Sequence, residues 1–143
     1  MNRDPSCVFC KIVAGDIPAN VVSVSELALA FLDVGPLADG HLIVIPQEHH
    51  ESLLDLSPGA AAEIAQSLPV LGRALVRVTG ASGFNLLQNN GAVAGQVVNH
   101  VHFHLIPRFE GDGLGFRWKP GTYAEGRAAE IADAYQHALH TVD

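Results

Sequence analysis

Histidine recurs at every second position in the stretch His100-Val101-His102-Phe103-His104-Leu105-Ile106. A neutral imidazole is a nucleophile and a common metal ligand, and its protonated form is a good acid near pH 7. Residue type alone therefore leaves three readings open: acid–base or nucleophilic chemistry, metal binding, or a polar strand face. Spacing adds geometry. On a pleated strand, successive side chains alternate between faces, so His100, His102 and His104 share one and Val101, Phe103 and Leu105 the other. A helix of 3.6 residues per turn scatters the same rings. Val, Phe, Leu and Ile favour the strand. The segment Asn99–Arg108 is therefore predicted to be a strand that gathers three imidazoles.

A second chemical pair lies near the start of the chain. Cys7-Val8-Phe9-Cys10 contains both cysteines, and two thiolates three residues apart can share a metal ion. A redox role would need a strand-to-helix setting of thioredoxin type, which is not evident here. Two unrelated reduced thiols are the remaining reading. A zinc site needs two more ligands. His49-His50 offers one and the histidine row another.

The elements that must position these groups follow from pattern. Lys11–Gly15 reads as a short helical turn ended by Gly15-Asp16 and Pro18. Val21–Val24 and Ala28–Leu32 read as strands joined by a turn. After the Gly/Pro loop Asp33–Gly40, His41–Ile45 is apolar on both faces and reads as a central buried strand. Ser57-Pro58 opens a helix carrying Ile64, Leu68, Leu71 and Leu75 at helical spacing up to Gly80. Pro69 predicts a kink or break near 65–69. Phe84–Gln88 is the fourth strand, followed by a Gly/Asn loop, 89–96, that feeds the histidine row. Glu110–Gly115 is too glycine-rich for regular structure and is expected to be mobile. Thr122-Tyr123-Ala124-Glu125 has the form of a capping box opening a last helix through Ile131, Tyr135 and Leu139, to about residue 140. The expected fold is α+β: a five-stranded antiparallel sheet, with a long helix and a C-terminal helix covering one face. Residues 1–143 form one domain.

Composition bounds the function. With 143 residues, 48% of them apolar, the chain can bury one core. No apolar run reaches the roughly 18 to 20 residues that span a bilayer, so no membrane role is expected. The N-terminus lacks a basic start followed by an apolar stretch, which points to the cytoplasm. A net charge of −7 disfavours a nucleic-acid partner. It leaves room for one small anion held by local dipoles.

The chain resembles the histidine triad (HIT) superfamily, in particular its bacterial HIT and Hint-type members. The resemblance is carried by His100–Ile106, Cys7–Ile12 with Ile17-Pro18-Ala19, Ala30–Asp33, Gly40–Pro46, and Asn89-Asn90-Gly91 with Ala94-Gly95-Gln96. These motifs keep the family's order across residues 7–118. The resemblance implies a homodimer of α+β subunits. It also implies hydrolysis or transfer at the α-phosphate of a purine nucleotide, an AMP conjugate such as a nucleoside phosphoramidate, through a nucleotidyl-histidine. By position, His102 is the implied nucleophile, His104 the phosphate contact, His100 the brace and His41 a supporting fourth histidine. Asp33 matches the ribose-binding carboxylate. Phe9, Ile12, Phe31 and Val34 match the base pocket, and Asn89 with Gly95-Gln96 the phosphate loop. Two-cysteine members carry a structural zinc whose ligands correspond to Cys7, Cys10, His49 and His100. No catalytic metal or organic cofactor is implied.

Physical chemistry agrees with this assignment. A free imidazole, with a reference pKa near 6.5, is largely neutral at pH 7. A carbonyl on the other nitrogen of His102 would fix the tautomer, and free N–H groups of the 89–96 loop would stabilise phosphoryl charge. Plainer roles exist as well. Asp33 is a common turn residue, and a buried His41 needs only a hydrogen-bond partner. His50 is expected to face solvent, and His137 and His140 to have no chemical part. Hint-type members commonly place Ser or Thr where this chain has Val97, which predicts a shifted leaving-group preference. The tail Arg117-Trp118-Lys119-Pro120 receives no site role. Two alternatives remain: a dinucleoside polyphosphate hydrolase of the fragile-histidine-triad type, and a zinc-stabilised nucleotide-binding protein without turnover.

Overall fold

The computed structural model describes residues 1–115 and 118–141. Arg117 of the tail thus lies outside the described residues. The described chain falls into two compact units, residues 1–113 and a C-terminal unit from residue 114.

In the first unit, α1 (Val8–Ala14) opens on Cys7, whose sulfur accepts the Cys10 N–H at 3.5 Å. That cap starts the helix three residues before the turn expected at Lys11. Four strands follow the predicted segments closely: β1 (Val21–Val24), β2 (Ala28–Leu32), β3 (Leu42–Pro46) and β4 (Gly83–Gln88). The fifth, β5, covers Phe103–Arg108. All pairings are antiparallel, in the order β1-β2-β3-β5-β4, so β3 is central as expected and each of its residues is buried.

The period of two sorts the sheet into two cores. Ala28, Ala30, Leu42, Val44 and Leu105 pack against Ile64, Leu71 and Leu75 of α2 (Pro58–Thr79). Leu29, Phe31, Ile43 and Ile45 face the other way, against Cys7, Phe9 and Cys10. Ile43 lies directly opposite His104 in the β3–β5 ladder, and directly opposed residues share a face. His104 therefore points to the α1 side.

Helix α2 is capped by Ser57, whose Oγ accepts the Ala60 N–H at 3.3 Å, and ends at Gly80 with φ 70°. It continues through Pro69, so of the kink or break expected there the break does not occur. The carbonyl that Pro69 deprives of a donor belongs to Ala65, which is exposed to water. Ile64 and Leu71, on either side of the proline, are both buried in the core. The Glu63 carboxylate accepts from Ser25 Oγ and from the Leu27 N–H at 3.1 Å, fixing the β1–β2 turn to α2.

The 110–115 segment is irregular, yet it is anchored. Asp112 takes two hydrogen bonds from Arg108, at 2.8 and 3.0 Å, and one from the Phe109 N–H. In the C-terminal unit, α3 spans Arg127–Leu139 and follows Gly126 at φ 75° with no side-chain cap. The Thr122–Glu125 capping box therefore does not form, because a left-handed glycine separates it from the first helical turn. Among the described residues, no helix is long and apolar enough to cross a membrane.

Gly40 delivers the chain into β3 at φ 93°, and a Cβ there would lie 2.5 Å from Thr79 Cγ2. Thr79 is locked by bonds from its Oγ1 to the Leu75 carbonyl and from the Ala81 N–H. Gly40→Ala is expected to cost about 1–3 kcal/mol, measured as a fall in the urea midpoint. An unchanged midpoint would show that this turn relaxes freely.

Candidate active site

The histidine row is not one regular strand. Only His104 lies within β5; His100 closes a bend and His102 follows it in irregular backbone before the strand. Pro46, the last residue of β3, has no N–H with which to continue the ladder, and its carbonyl is occupied by His100 Nε2 at 2.9 Å. The Val101 N–H instead bonds the His50 carbonyl at 2.7 Å. The rings still gather. His102 and His104 centroids are 5.0 Å apart, and Phe9 meets His102 edge-on at 5.2 Å and His100 at 5.8 Å.

Backbone groups determine which nitrogen of each ring carries the proton. His102 Nδ1 lies 2.7 Å from the His100 carbonyl. A carbonyl only accepts, so Nδ1 carries hydrogen and Nε2 keeps its lone pair while the ring is neutral. That Nε2 has no protein partner among the described residues and is not sealed from solvent. His41 shows the opposite arrangement. The Leu37 N–H donates to its Nδ1 at 3.1 Å, so its Nε2 bears hydrogen and donates to His104 Nδ1 at 2.9 Å. His104 is left with an Nε2–H. Burial, then the charges of His102 and His41, pushes the His104 pKa down to about 4. Burial also lowers His41, partly opposed by Asp33, whose Oδ2 lies 3.6 Å from His41 Nε2. Both rings are neutral at pH 7, and the tautomers hold.

His102 and His104 line a cavity of about 440 Å³. Phe9, Ile12, Phe31 and Val34 line it too, as do Asp33 and Gly95. Asp33 also serves its turn, with Oδ1 accepting the Gly35 N–H at 2.8 Å. Sequence reading missed Val8, Ile17, Pro18, Ala19, Ile43 and Val98 as further wall. Ile43 was legible in principle, being two residues from His41 on a strand of period two. His41 and His100 sit behind the wall, while Asn89 and Gln96 lie off it.

The 89–96 loop corrects an expectation. The N–H groups of Ala94, Gly95 and Gln96 are consumed by carbonyls of Gly91 and Ala92, at 3.0 to 3.1 Å. Gly91 N–H donates to Gln96 Oε1, and Gln96 Nε2 donates to the Glu51 and Val98 carbonyls. Gln96 is thus a buried latch for the loop. Beyond the loop, the N–H groups of the lining residues Val97 and Val98 are among those without a protein partner in the described residues.

Behind the row lies a metal-ligand set. Ligand atoms of Cys7, Cys10, His49 and His100 all lie within 4.8 Å of one another. Sulfur–nitrogen separations are 3.3 Å (Cys10–His49), 3.5 Å (Cys7–His100) and 3.6 Å (Cys10–His100). Tetrahedral zinc, with its usual Zn–S and Zn–N lengths, spaces these atoms about 3.5 Å apart. The Pro46 carbonyl holds the proton on His100 Nε2 and leaves the Nδ1 lone pair facing the thiols, as a ligating histidine requires. The residues present fit the ion. His50, expected in solvent, is largely buried. Its Nε2 has no hydrogen-bond partner and lies 3.8 Å from Glu48 Oε2.

Residues 14–111 match the HIT domain family. The chain belongs to that family. It is 46% identical over 114 residues to the adenosine 5'-monophosphoramidase hnt1 of Schizosaccharomyces pombe, covering 79% of this chain and 83% of that protein. The crystal structure of a HIT family protein from Bacillus anthracis superposes with a TM-score of 0.89 at 39% identity, covering 95% of this chain and 99% of that one. A Zn-bound histidine triad family protein from Mycobacterium smegmatis gives a TM-score of 0.71 at 40% identity, covering 94% and 97%. The five-stranded antiparallel sheet read from sequence is thus the HIT fold.

Neutral burial of His104 and His41 makes this HIT protein acid-sensitive. Their folded pKa values lie below the unfolded value of about 6.5, so the unfolded chain binds more protons as pH falls. Stability is full above pH 6.5 and is lost as pH falls towards about 4. Urea midpoints across that window should decline, and decline less in His104→Gln. Equal slopes in the two proteins would refute this source of acid sensitivity.

Proposed function

We propose that this HIT protein is a nucleotide hydrolase that cleaves AMP conjugates of the phosphoramidate class at the α-phosphate, through a covalent bond to His102. One observation carries the reading: an unprotonated His102 Nε2 and a His104 Nε2–H belong to rings that line the same apolar cavity. The similarity to an adenosine 5'-monophosphoramidase supports the substrate class.

Phe9, Ile12, Phe31 and Val34 enclose a flat purine, and Asp33 Oδ2 accepts from ribose hydroxyls. His102 Nε2 attacks phosphorus. A P–N bond forms, and the bond to the leaving group breaks with its electron pair, which takes a proton from water at the mouth. Developing charge on the phosphoryl oxygens meets the His104 Nε2–H and the unpaired N–H groups of Val97 and Val98. Water then attacks phosphorus, the electron pair returns to Nε2, and the water proton passes to solvent. Two displacements replace one harder one. His100 holds the His102 tautomer through its carbonyl, and Asn89 and Gln96 shape the loop.

Cys7, Cys10, His49 and His100 would hold zinc. When bound, the ion supplies a fixed anchor for the His100 ring. A reducing cytoplasm suits these free thiols. Homodimerisation is supported by β4, an edge strand that leaves Phe84 and Leu86 exposed beside α2.

Incubation with a lysyl-adenylate analogue should give a nucleotidyl adduct by mass spectrometry. His102→Ala should lose the adduct, and its kcat should fall by a factor on the order of 10⁴ or more. Persistent adduct in that variant would exclude His102 as the nucleophile. A panel setting adenosine phosphoramidates against diadenosine polyphosphates should favour the former. Metal analysis should find one zinc per chain, and Cys7→Ser or a chelator should remove it. Its loss should lower the melting temperature by about 5 °C or more; an unmoved transition would refute a structural ion.

A further inference from the structure

We propose that Asn90 is a positioning residue: its hydrogen bond to the Leu53 backbone holds the 91–96 loop in register with the histidine row. This rests on the function proposed above and adds a residue that acts on the cavity from outside its wall.

The loop closes on itself. The Gln96 N–H donates to the Gly91 carbonyl at 3.1 Å, and the Gly91 N–H donates to Gln96 Oε1 at 2.8 Å. Between them Ala92–Ala94 form one tight helical turn, and residues 91–95 are all exposed to water. A small loop closed by its own bonds moves as a body, so its place is set by whatever fastens it to its surroundings. Two side chains fasten this one, and both reach the same short segment. At the exit, Gln96 Nε2 donates to the Glu51 carbonyl at 2.7 Å. At the entrance, Asn90 Oδ1 accepts the Leu53 N–H at 2.7 Å.

A backbone N–H only donates, so the Leu53 bond decides which atom of the Asn90 amide is the oxygen. That Oδ1 also accepts from Gln88 Nε2 at 3.0 Å, and Asn90 Nδ2 donates back to Gln88 Oε1. Gln88 ends β4 directly opposite Phe103, between His102 and His104. The 50–53 segment is tied to the same row, because the His50 carbonyl accepts the Val101 N–H. Asn90 is therefore the point where β4, that segment and the loop meet. Gly95, at the far end of the loop, lines the cavity together with His102 and His104. Without the Leu53 bond the loop keeps its Gln96 latch and pivots on it. The cavity-lining backbone then loses its fixed distance from the two rings, and small misplacements of this kind are costly to catalysis.

The bond can be removed from either side. Leu53 opens a short helical turn, Leu53–Asp55, after Ser52, which is extended at φ −141° and ψ 173°. Proline is accepted at a first helical position and after an extended residue, and Leu53 is 44% exposed. Leu53→Pro thus deletes the donor and leaves Asn90 in place, while Asn90→Ala deletes the acceptor. Each variant should lower kcat/KM for an adenosine phosphoramidate about tenfold. The double variant should fall no further, whereas independent losses would multiply to about a hundredfold. The amide NMR shifts of Gly95 and Val98 should move alike in all three. Multiplying losses, or unmoved shifts in Asn90→Ala, would overturn the proposal. Absence of turnover by the wild type, alongside shifts that move alike, would refute the enzymatic reading and leave the positioning of the loop standing.

Discussion

The hydrogen bond from His102 Nδ1 to the His100 carbonyl is the constraint on which the site depends. At 2.7 Å it fixes one tautomer and therefore presents a lone pair, rather than a proton, at the other ring nitrogen. A carbonyl does this more firmly than a side chain, since it cannot turn and offer a donor instead. The His100 carbonyl is itself held from two sides. Its ring is pinned to Pro46 and faces two cysteines, and the following N–H is bonded to His50. The cysteine–histidine cluster and the His102 lone pair are thus two ends of one short, over-determined stretch of backbone.

Helix α1 connects the same two functions from the other side. In seven residues it serves both: Cys10 turns to the cysteine–histidine cluster, while Phe9 and Ile12 line the cavity. The Phe9 ring meets His100, His102 and Phe31 in edge-to-face contacts, a geometry that aromatic quadrupoles favour. Disturbance of the cysteine cap therefore reaches the nucleotide wall through a single turn of helix.

His41 and His104 form the complementary device. The Leu37 N–H donates into His41, which donates into His104, so the chain of protons runs outward to a donor at the cavity. Burial keeps both rings neutral and so keeps the direction of that chain fixed. Two neighbouring imidazoles on one backbone segment thus carry opposite tautomers, one a lone pair and one an N–H. Their amino-acid type is the same; their hydrogen-bond partners differ, a backbone carbonyl for His102 and the His41 ring for His104.

The sequence by itself determined the sheet, while Phe9, Ile12, Phe31 and Val34 were expected at the cavity only through the family resemblance. Alternation of apolar residues is enforced at every strand position by a twofold backbone repeat, so β2, β3 and the two cores were legible from Ala28–Leu32 and His41–Ile45. The cysteine spacing disclosed a candidate ligand pair, because ligand chemistry restricts residue type; the choice of His49 and His100 to complete it came from the family resemblance. Tertiary structure alone decided the rest. That β5 starts only at Phe103 depends on Pro46, which lies 57 residues earlier and meets it only across the sheet. The continuity of α2 through Pro69 depends on Ala65 facing water and on buried neighbours either side. The N–H groups of Ala94, Gly95 and Gln96 were spent on carbonyls of Gly91 and Ala92, and Gln96 turned inward to the Glu51 carbonyl. Each of these outcomes is set by a hydrogen-bond partner distant in sequence or by which side of an element water reaches, and neither is encoded in local spacing.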